Sequence, residues 1–273
     1  MVDNSLWNLK EKVILVTGST GALAGKTAQY LLDQGAKVIF LSRNQERADQ
    51  AVSESGATPD QAAGFVGSVT DRDDLEKVRD QIMKRFGRLD ALVNGAGGNY
   101  PGATIQPNQS VFDLDINDYD HVMNLNLKGT LLPSLVFGKV MAEQGAGCII
   151  NFSSASSLQV LTRVLGYSNA KAAVDNLTRW MAVDFAKHHG DAIRVNAVCP
   201  GFFIGKQNKA LLLNEDGSYT ERGHQIINKT PMGRFGEAKE ICGAIHFLLS
   251  DASQFITGQV IHIDGGFGVF TGV

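Results

Sequence analysis

Short apolar, β-rich runs recur along this chain, and each is followed by a longer amphipathic stretch. That alternation constrains the fold more than any other feature of the sequence. Val13–Thr17 (VILVT) reads as a buried strand and Ala22–Asp33 as a helix, ended by Gly35 in the manner of a C-cap. Val38–Leu41 is a second strand, and Asn44–Ser53 is a charged helix. Gly64–Val66 is a weaker third strand, and Asp71–Phe86 is a helix with Leu75, Val78, Ile82 and Phe86 at helical spacing. Ala91–Val93, Cys148–Phe152, Arg194–Val198 and Val260–Ile263 complete the strands, with helices over Asp118–Glu143, Tyr167–His188 and Glu237–Leu249. Seven strands alternating with helices predict an α/β fold, a parallel sheet covered on both faces. Right-handed crossovers make such a sheet doubly wound, with ligands bound at the carboxyl ends of its strands. Residues 1–273 are expected to form a single domain.

Composition excludes several classes. Hydrophobic residues make up 44% and charged residues 19%, as in a soluble globular protein with a sizeable core. A net charge of −3 leaves no basic footprint for nucleic acid. The three cysteines, Cys148, Cys199 and Cys242, are scattered and form no metal-ligand spacing, which points to a reducing, cytoplasmic setting. The six histidines show no clustering with each other or with acids, so no metal site is expected. The start, MVDNSLWNLKEK, lacks the apolar core of an export signal, and no run approaches the ~18 apolar residues of a membrane span.

Two segments break the rhythm. Gly95–Asn117 is rich in Gly, Pro and Asn, and Gly205–Thr230 is a polar insertion. Both follow strand ends, so both read as substrate loops, with disorder as the alternative for Asn214–Gly223. The first strand runs through Gly18-Ser19-Thr20-Gly21 into a helix. Glycines there let backbone approach a pyrophosphate at a helix N-terminus, although an ordinary tight turn looks the same in sequence. The second strand ends at Ser42-Arg43, where a dinucleotide's ribose is normally selected. No acid occupies Leu41, Ser42 or Arg43; a hydroxyl beside a guanidinium suits a 2′-phosphate, so NADP(H) is favoured and NAD(H) stays open. A solvated Arg43 is the plainer alternative.

Tyr167 and Lys171 stand one helical turn apart, on one helix face. The spacing alone is a weak signal. Its chemistry is specific: a phenol ionises near pH ~10, and a neighbouring cation is expected to lower that value. Ser154 leaves a strand end and can hydrogen-bond a carbonyl oxygen.

These motifs occur in an order that resembles the short-chain dehydrogenase/reductase family, over nearly the whole chain from Lys12 to Phe267. They are TGSTGALA at Thr17–Ala24, NGAG at Asn94–Gly97, NLKG at Asn126–Gly129 and Ser153-Ser154. YSNAK at Tyr167–Lys171, Pro200-Gly201 and ITGQVIHIDGG at Ile256–Gly266 follow. The resemblance implies a Rossmann fold, an NAD(P)-dependent oxidoreductase interconverting ketone and secondary alcohol, and a homo-tetramer. It implies a catalytic set of Asn126, Ser154, Tyr167 and Lys171, with Lys171 also holding the nicotinamide ribose and Asn126 positioning a relay water. It places the cofactor against Gly18, Ser19, Thr20, Gly21, Leu23, Ser42, Arg43, Ser68, Val69, Asn94, Gly95, Ala96, Tyr167, Lys171, Pro200, Gly201 and Phe203.

The chain departs from the family at Ala22 and Ala24, where glycines are usual, at Ser68, where an Asp is common, and at Gly205, where a Thr is usual. Residues 200–237, the loop GGNYPGAT at Gly97–Thr104 and the tail FTGV at Phe270–Val273 resemble one branch, the D-mannonate oxidoreductases. That branch interconverts D-fructuronate and D-mannonate. Such a sugar acid wants cations and amides, and Asn99, Arg163, Lys206, Gln207, Asn208 and Lys209 all fall on the expected site side. Arg163 is the best candidate for its carboxylate and Asn99 and Asn208 for its hydroxyls, with Ser154 and Tyr167 at the reacting oxygen. Solvated loop charges remain the alternative for Arg163 and Lys209. A 3-oxoacyl thioester reductase is the alternative enzyme, and a dinucleotide-binding sensor without turnover the alternative class.

Overall fold

The structure is a computed structural model that describes residues 4–205 and 208–272. Seven strands form one parallel sheet: β1 (Val13–Thr17), β2 (Lys37–Ser42), β3 (Ala62–Val66), β4 (Ala91–Asn94), β5 (Gly147–Phe152), β6 (Ile193–Pro200) and β7 (Val260–Ile263). Their order across the sheet is β3-β2-β1-β4-β5-β6-β7. The chain therefore reverses its direction of growth between β1 and β4, and a crevice opens at their carboxyl ends.

Every residue of β1 and β6 is buried, as expected for strands covered on both sides. Successive residues face opposite layers. Ile14, Val16, Val38 and Phe40 join one apolar cluster, whereas Val13, Leu15, Ile39 and Leu41 join the other. The first layer is completed by helix α1 (Ala22–Asp33) and by α9 (Cys242–Leu249), with α2 (Gln45–Glu54) packed at its margin. The second is completed by α3 (Arg72–Phe86), α5 (Gly129–Gln144) and α6 (Leu165–His189). Each fully buried Leu, Ile or Val contributes about 1.5–3 kcal/mol of burial. No helix among the described residues is long and apolar enough to cross a membrane.

The structure differs from the sequence reading in two places. The long helix expected over Asp118–Glu143 is α4 (Ile116–Met123), a π-helical turn at Asn124–Lys128, and α5. The wide turn carries Asn126 inward, fully buried, where its Nδ2 donates to the Val122 carbonyl at 2.9 Å. The polar insertion holds α7 (Lys209–Leu212), a bridge pairing Leu213 with Tyr219, and α8 (Glu221–Asn228). Leu212, Ile226 and Phe235 form a small core beneath it, with Tyr219 edge-on to Phe235 at 5.3 Å. Charged residues between these apolar positions hid that core from composition.

Candidate active site

The carboxyl ends of β1 and β4 are tied by one hydroxyl: Thr17 Oγ1 accepts from the amides of Gly95 and Ala96, both at 3.1 Å. Gly18 leaves β1 with φ +65°, and a Cβ there would lie 2.7 Å from backbone atoms of Gly95 and Ala96. The departures at Ala22 and Ala24 are matched by glycines opposite them. A Cβ on Gly95 would come within 2.5 Å of the Ala24 methyl, and one on Gly205 within 3.3 Å of the Ala22 methyl. The missing threonine at position 205 and the extra methyl at position 22 thus occupy one space. Gly25 allows close approach to the Ser19 carbonyl, 2.7 Å from where its Cβ would be. The side chain of Ser19 is 3% exposed, and its Oγ has no partner among the described residues. A buried hydroxyl without a partner, in a turn without side-chain bulk, fits a phosphate oxygen.

Further along the crevice, Ser42 Oγ accepts from the Asn44 amide at 3.3 Å, and Arg43 is exposed with no ion pair or hydrogen bond among the described residues. Ser68 is drawn into its own turn: its amide donates to Asp74 Oδ2 at 3.2 Å and its hydroxyl meets Thr70 Oγ1 at 3.0 Å. Val69 is buried against Gly129. Asn94 Nδ2 donates to Ser134 and Asn151, both at 2.9 Å, leaving its buried Oδ1 without a partner. Gly201 closes on β7, its amide donating to the Ile263 carbonyl at 2.9 Å, and Phe203 bridges to Gly236.

Beside this crevice stand the four residues expected to be catalytic. Asn126 locks Gly98, accepting from its amide at 3.0 Å and donating to its carbonyl at 2.8 Å. Gly97 lies between Asn126 and Lys171; a Cβ there would sit 2.5 Å from Asn126 Oδ1 and 3.3 Å from Lys171 Nζ. Lys171 is 3% exposed. Its Nζ donates to the Phe152 carbonyl at 2.8 Å and lies 5.5 Å from the centre of the Tyr167 ring. Ser154 caps the short turn after β5, accepting from the Ser156 amide at 3.3 Å, and its hydroxyl reaches that of Tyr167.

The electrostatics run differently from the sequence expectation. Burial holds the Tyr167 phenol above its ordinary pKa, with the Ser154 hydrogen bond acting against it. Burial also brings Lys171 down to about 8, against the pull of Asp175. In the ligand-free chain the phenol is therefore kept protonated and the lysine is the group near neutrality.

On the substrate side, the expected residues are engaged with their own loops. Arg163 has φ +79°; its Nε donates to the Ile105 carbonyl at 2.9 Å and its Nη2 to Gln106 Oε1 at 3.0 Å. It straps the loop before α6 to the loop after β4 and is a tethered cation. Asn99 donates to Thr104 Oγ1 at 2.7 Å. Asn208 accepts from the Gly205 amide and donates to the Phe203 carbonyl, both at 2.8 Å. Lys206, Gln207 and Val273 lie outside the described residues. Sequence reasoning missed Arg222. This side chain on α8 is half-buried, has no ion pair or hydrogen bond among the described residues, and lies within the field of Arg163. Burial first, and then the Arg163 charge, lowers its pKa. A half-buried guanidinium with no partner among the described residues, under the charge of a second one, makes a place for an anion.

A family model described as enoyl-(acyl carrier protein) reductase matches residues 18–268. An uncharacterized oxidoreductase of Bacillus subtilis, UxuB, is 40% identical over 275 residues, spanning 97% of this chain and 98% of the relative. The crystal structure of a candidate D-mannonate oxidoreductase from Haemophilus influenza, with bound NAD, superposes with a TM-score of 0.89 at 41% identity, covering 97% of this chain and 98% of that one. A gluconate 5-dehydrogenase from Burkholderia cenocepacia, in complex with NADP and tartrate, superposes with a TM-score of 0.83 at 30% identity, covering 96% and 97%.

Proposed function

From the premise that the chain belongs to the short-chain dehydrogenase/reductase family and is an NAD(P)-dependent oxidoreductase acting on CH–OH groups, we propose that its substrate is a sugar acid, D-fructuronate reduced to D-mannonate or the reverse. The observation that carries this reading is Arg222, a half-buried guanidinium without a partner among the described residues that lies within the field of Arg163. A carboxylate between them would relieve their mutual repulsion and gain charge-assisted hydrogen bonds. An uncharged acyl tail would leave Arg222 unpaired, which disfavours the 3-oxoacyl alternative.

The dinucleotide, when bound, supplies or accepts the hydride. Gly18, Ser19, Thr20, Gly21 and Leu23 would hold its phosphates, with Ser68, Val69, Asn94, Gly95 and Ala96 along the crevice and Pro200, Gly201 and Phe203 at the far end. Ser42 and Arg43 would meet the adenosine ribose, and a free Arg43 without a neighbouring acid supports NADP(H) over NAD(H). At the reacting centre Ser154 donates a hydrogen bond to the substrate oxygen. Tyr167, held as a neutral phenol, passes its proton to that oxygen as the alcohol forms. Lys171 offers the positive charge that stabilises the phenolate left behind. Asn126 fixes the Gly97–Gly98 backbone against which Lys171 rests. In the oxidising direction the same proton returns to the phenolate.

The three buried free thiols support a cytoplasmic placement, and exposed Leu135 on α5 and Trp180 and Val183 on α6 support a homo-tetramer built on those helices. The test is a reductase assay with D-fructuronate, comparing NADPH and NADH at equal concentration. Turnover with preference for NADPH is expected. Turnover of a simple ketone without turnover of fructuronate removes the sugar-acid reading, and preference for NADH removes the cofactor assignment.

A further inference from the structure

Tyr167, Lys171 and Asp175 occupy successive turns on one face of α6. The first two have roles in the reaction; Asp175 has none yet. It is 7% exposed, and Ser157 Oγ donates to its Oδ2 at 2.6 Å. Its other oxygen, Oδ1, is buried with no partner among the described residues. Asp175 makes no direct ion pair among those residues either. A carboxylate held so far from water, with one oxygen bare, costs stability unless a nearby cation needs it.

Among the described residues, the charged and titratable groups around Lys171 are few. Tyr167 and Asp175 face it from α6, and Cys199 faces it from β6. β5 contributes only the Phe152 carbonyl, and the π-helical turn only the amide of Asn126 near Gly97. Burial, then the charges of Asp175 and Asp264, push the Cys199 thiol up to about 12, so it stays neutral. Asp264 is itself held by the amides of Gly266 and Gly268, with His262 beside it at 3.7 Å. Asp175 is thus the anion that acts on Lys171.

We propose that Asp175 is a positioning residue for the proton-transfer pair: its buried carboxylate, one helical turn past Lys171, keeps that side chain an ammonium in the crevice. The inference rests on the reading of Tyr167 and Lys171 as that pair. Burial favours the uncharged amine, and the ammonium is present below about 8 and lost above it. Removing the anion lowers that boundary further. For unit charges one helical turn apart in a protein interior, the expected movement is about one pH unit.

The experiment titrates ligand-free protein labelled at the lysine Cε carbons by NMR, with the Lys171 signal identified by its loss in Lys171→Arg. The wild-type midpoint is expected at about 8. In Asp175→Asn, where the amide oxygen still accepts from Ser157, it should fall by about one pH unit. Asp175→Ser, smaller and also neutral, should do the same and serves if the amide variant does not accumulate. The alkaline fall in kcat/KM for carbonyl reduction should move down by the same amount, with rates at pH 6 within about two-fold of wild type. An unmoved Lys171 midpoint in the variants overturns the proposal, as does an activity loss equal at every pH, which is the mark of a purely structural role. Activity retained by Tyr167→Phe would sink the proton-transfer reading instead, and the NMR midpoints would still report whether Asp175 governs Lys171.

Discussion

The two halves of the crevice are built on different principles. On the cofactor side, backbone does the shaping. Gly18, Gly25 and Gly95 lie where a Cβ would strike backbone or a facing methyl, and one hydroxyl, Thr17, ties two strand ends together. On the substrate side, side chains do it. Arg163 straps two loops, Asn208 closes its own turn, and Arg222 arrives on a helix that rests on a separate small core. The first half is continuous with the sheet. The second is assembled from three segments far apart in sequence, and it meets the first where Gly205 faces the Ala22 methyl. The reacting residues stand on the seam, with Tyr167 partly exposed and Lys171 buried against β5.

Substitutions should separate the halves, and the largest effect belongs to the seam. Tyr167→Phe keeps the ring beside Lys171 and removes only the proton donor. It should lower kcat about 10²–10⁴-fold in stopped-flow or steady-state assays. Cofactor affinity, read by fluorescence titration, should stay within about two-fold, because that affinity is set on the other side. Next comes the cofactor half itself. Gly18→Ala forces a methyl into a φ of +65° and to 2.7 Å from the backbone of Gly95 and Ala96. Strain and overpacking of about 2–4 kcal/mol should weaken cofactor binding roughly 100-fold. The melting temperature should fall as well; an unchanged affinity would show that the turn yields easily.

The same division explains what could be read from sequence. Strands β1, β4 and β6 were legible because full burial writes continuous apolar runs, and the glycine turn because a positive φ excludes other residues at Gly18. The spacing of Tyr167 and Lys171 was legible because helical geometry puts them on one face. Burial was not, and burial reverses the expected direction for the phenol and sets the lysine near neutrality. The π-helical turn was hidden because NLNLK carries an ordinary helical pattern and only the bonds from Asn126 to Gly98 and Val122 reveal the extra residue. Arg222 was hidden because nothing local distinguishes it from the other charges of the insertion; its meaning comes from Arg163, in a distant segment. The pairing of Ala22 with Gly205 was equally invisible, since each departure looks like a loss until the two are seen to share one space.

The mouth offers the third test. Arg222→Gln keeps length and polarity but removes the charge. KM for D-fructuronate should rise about 10–100-fold with kcat nearly unchanged, the loss expected for one charge-assisted hydrogen bond. A small uncharged ketone should be reduced as before. Loss of activity toward both substrates would mean that Arg222 supports the fold of the insertion and not the anion.

The smallest effect lies at the outer end of the cofactor half, and it probes whether backbone shaping extends to the choice of dinucleotide. Arg43 is exposed and without a partner among the described residues, so its contribution to a 2′-phosphate is screened by salt. Arg43→Ala should weaken NADPH binding about 5–10-fold at low ionic strength and leave NADH nearly untouched. The difference between the two cofactors should shrink as salt is added, since an exposed charge acts through solvent. A salt-independent loss for both would mean that Arg43 shapes the β2–α2 turn, and selection would then belong to backbone here as it does at Gly18. A loss confined to NADPH marks the one place on this side of the crevice where a side chain decides.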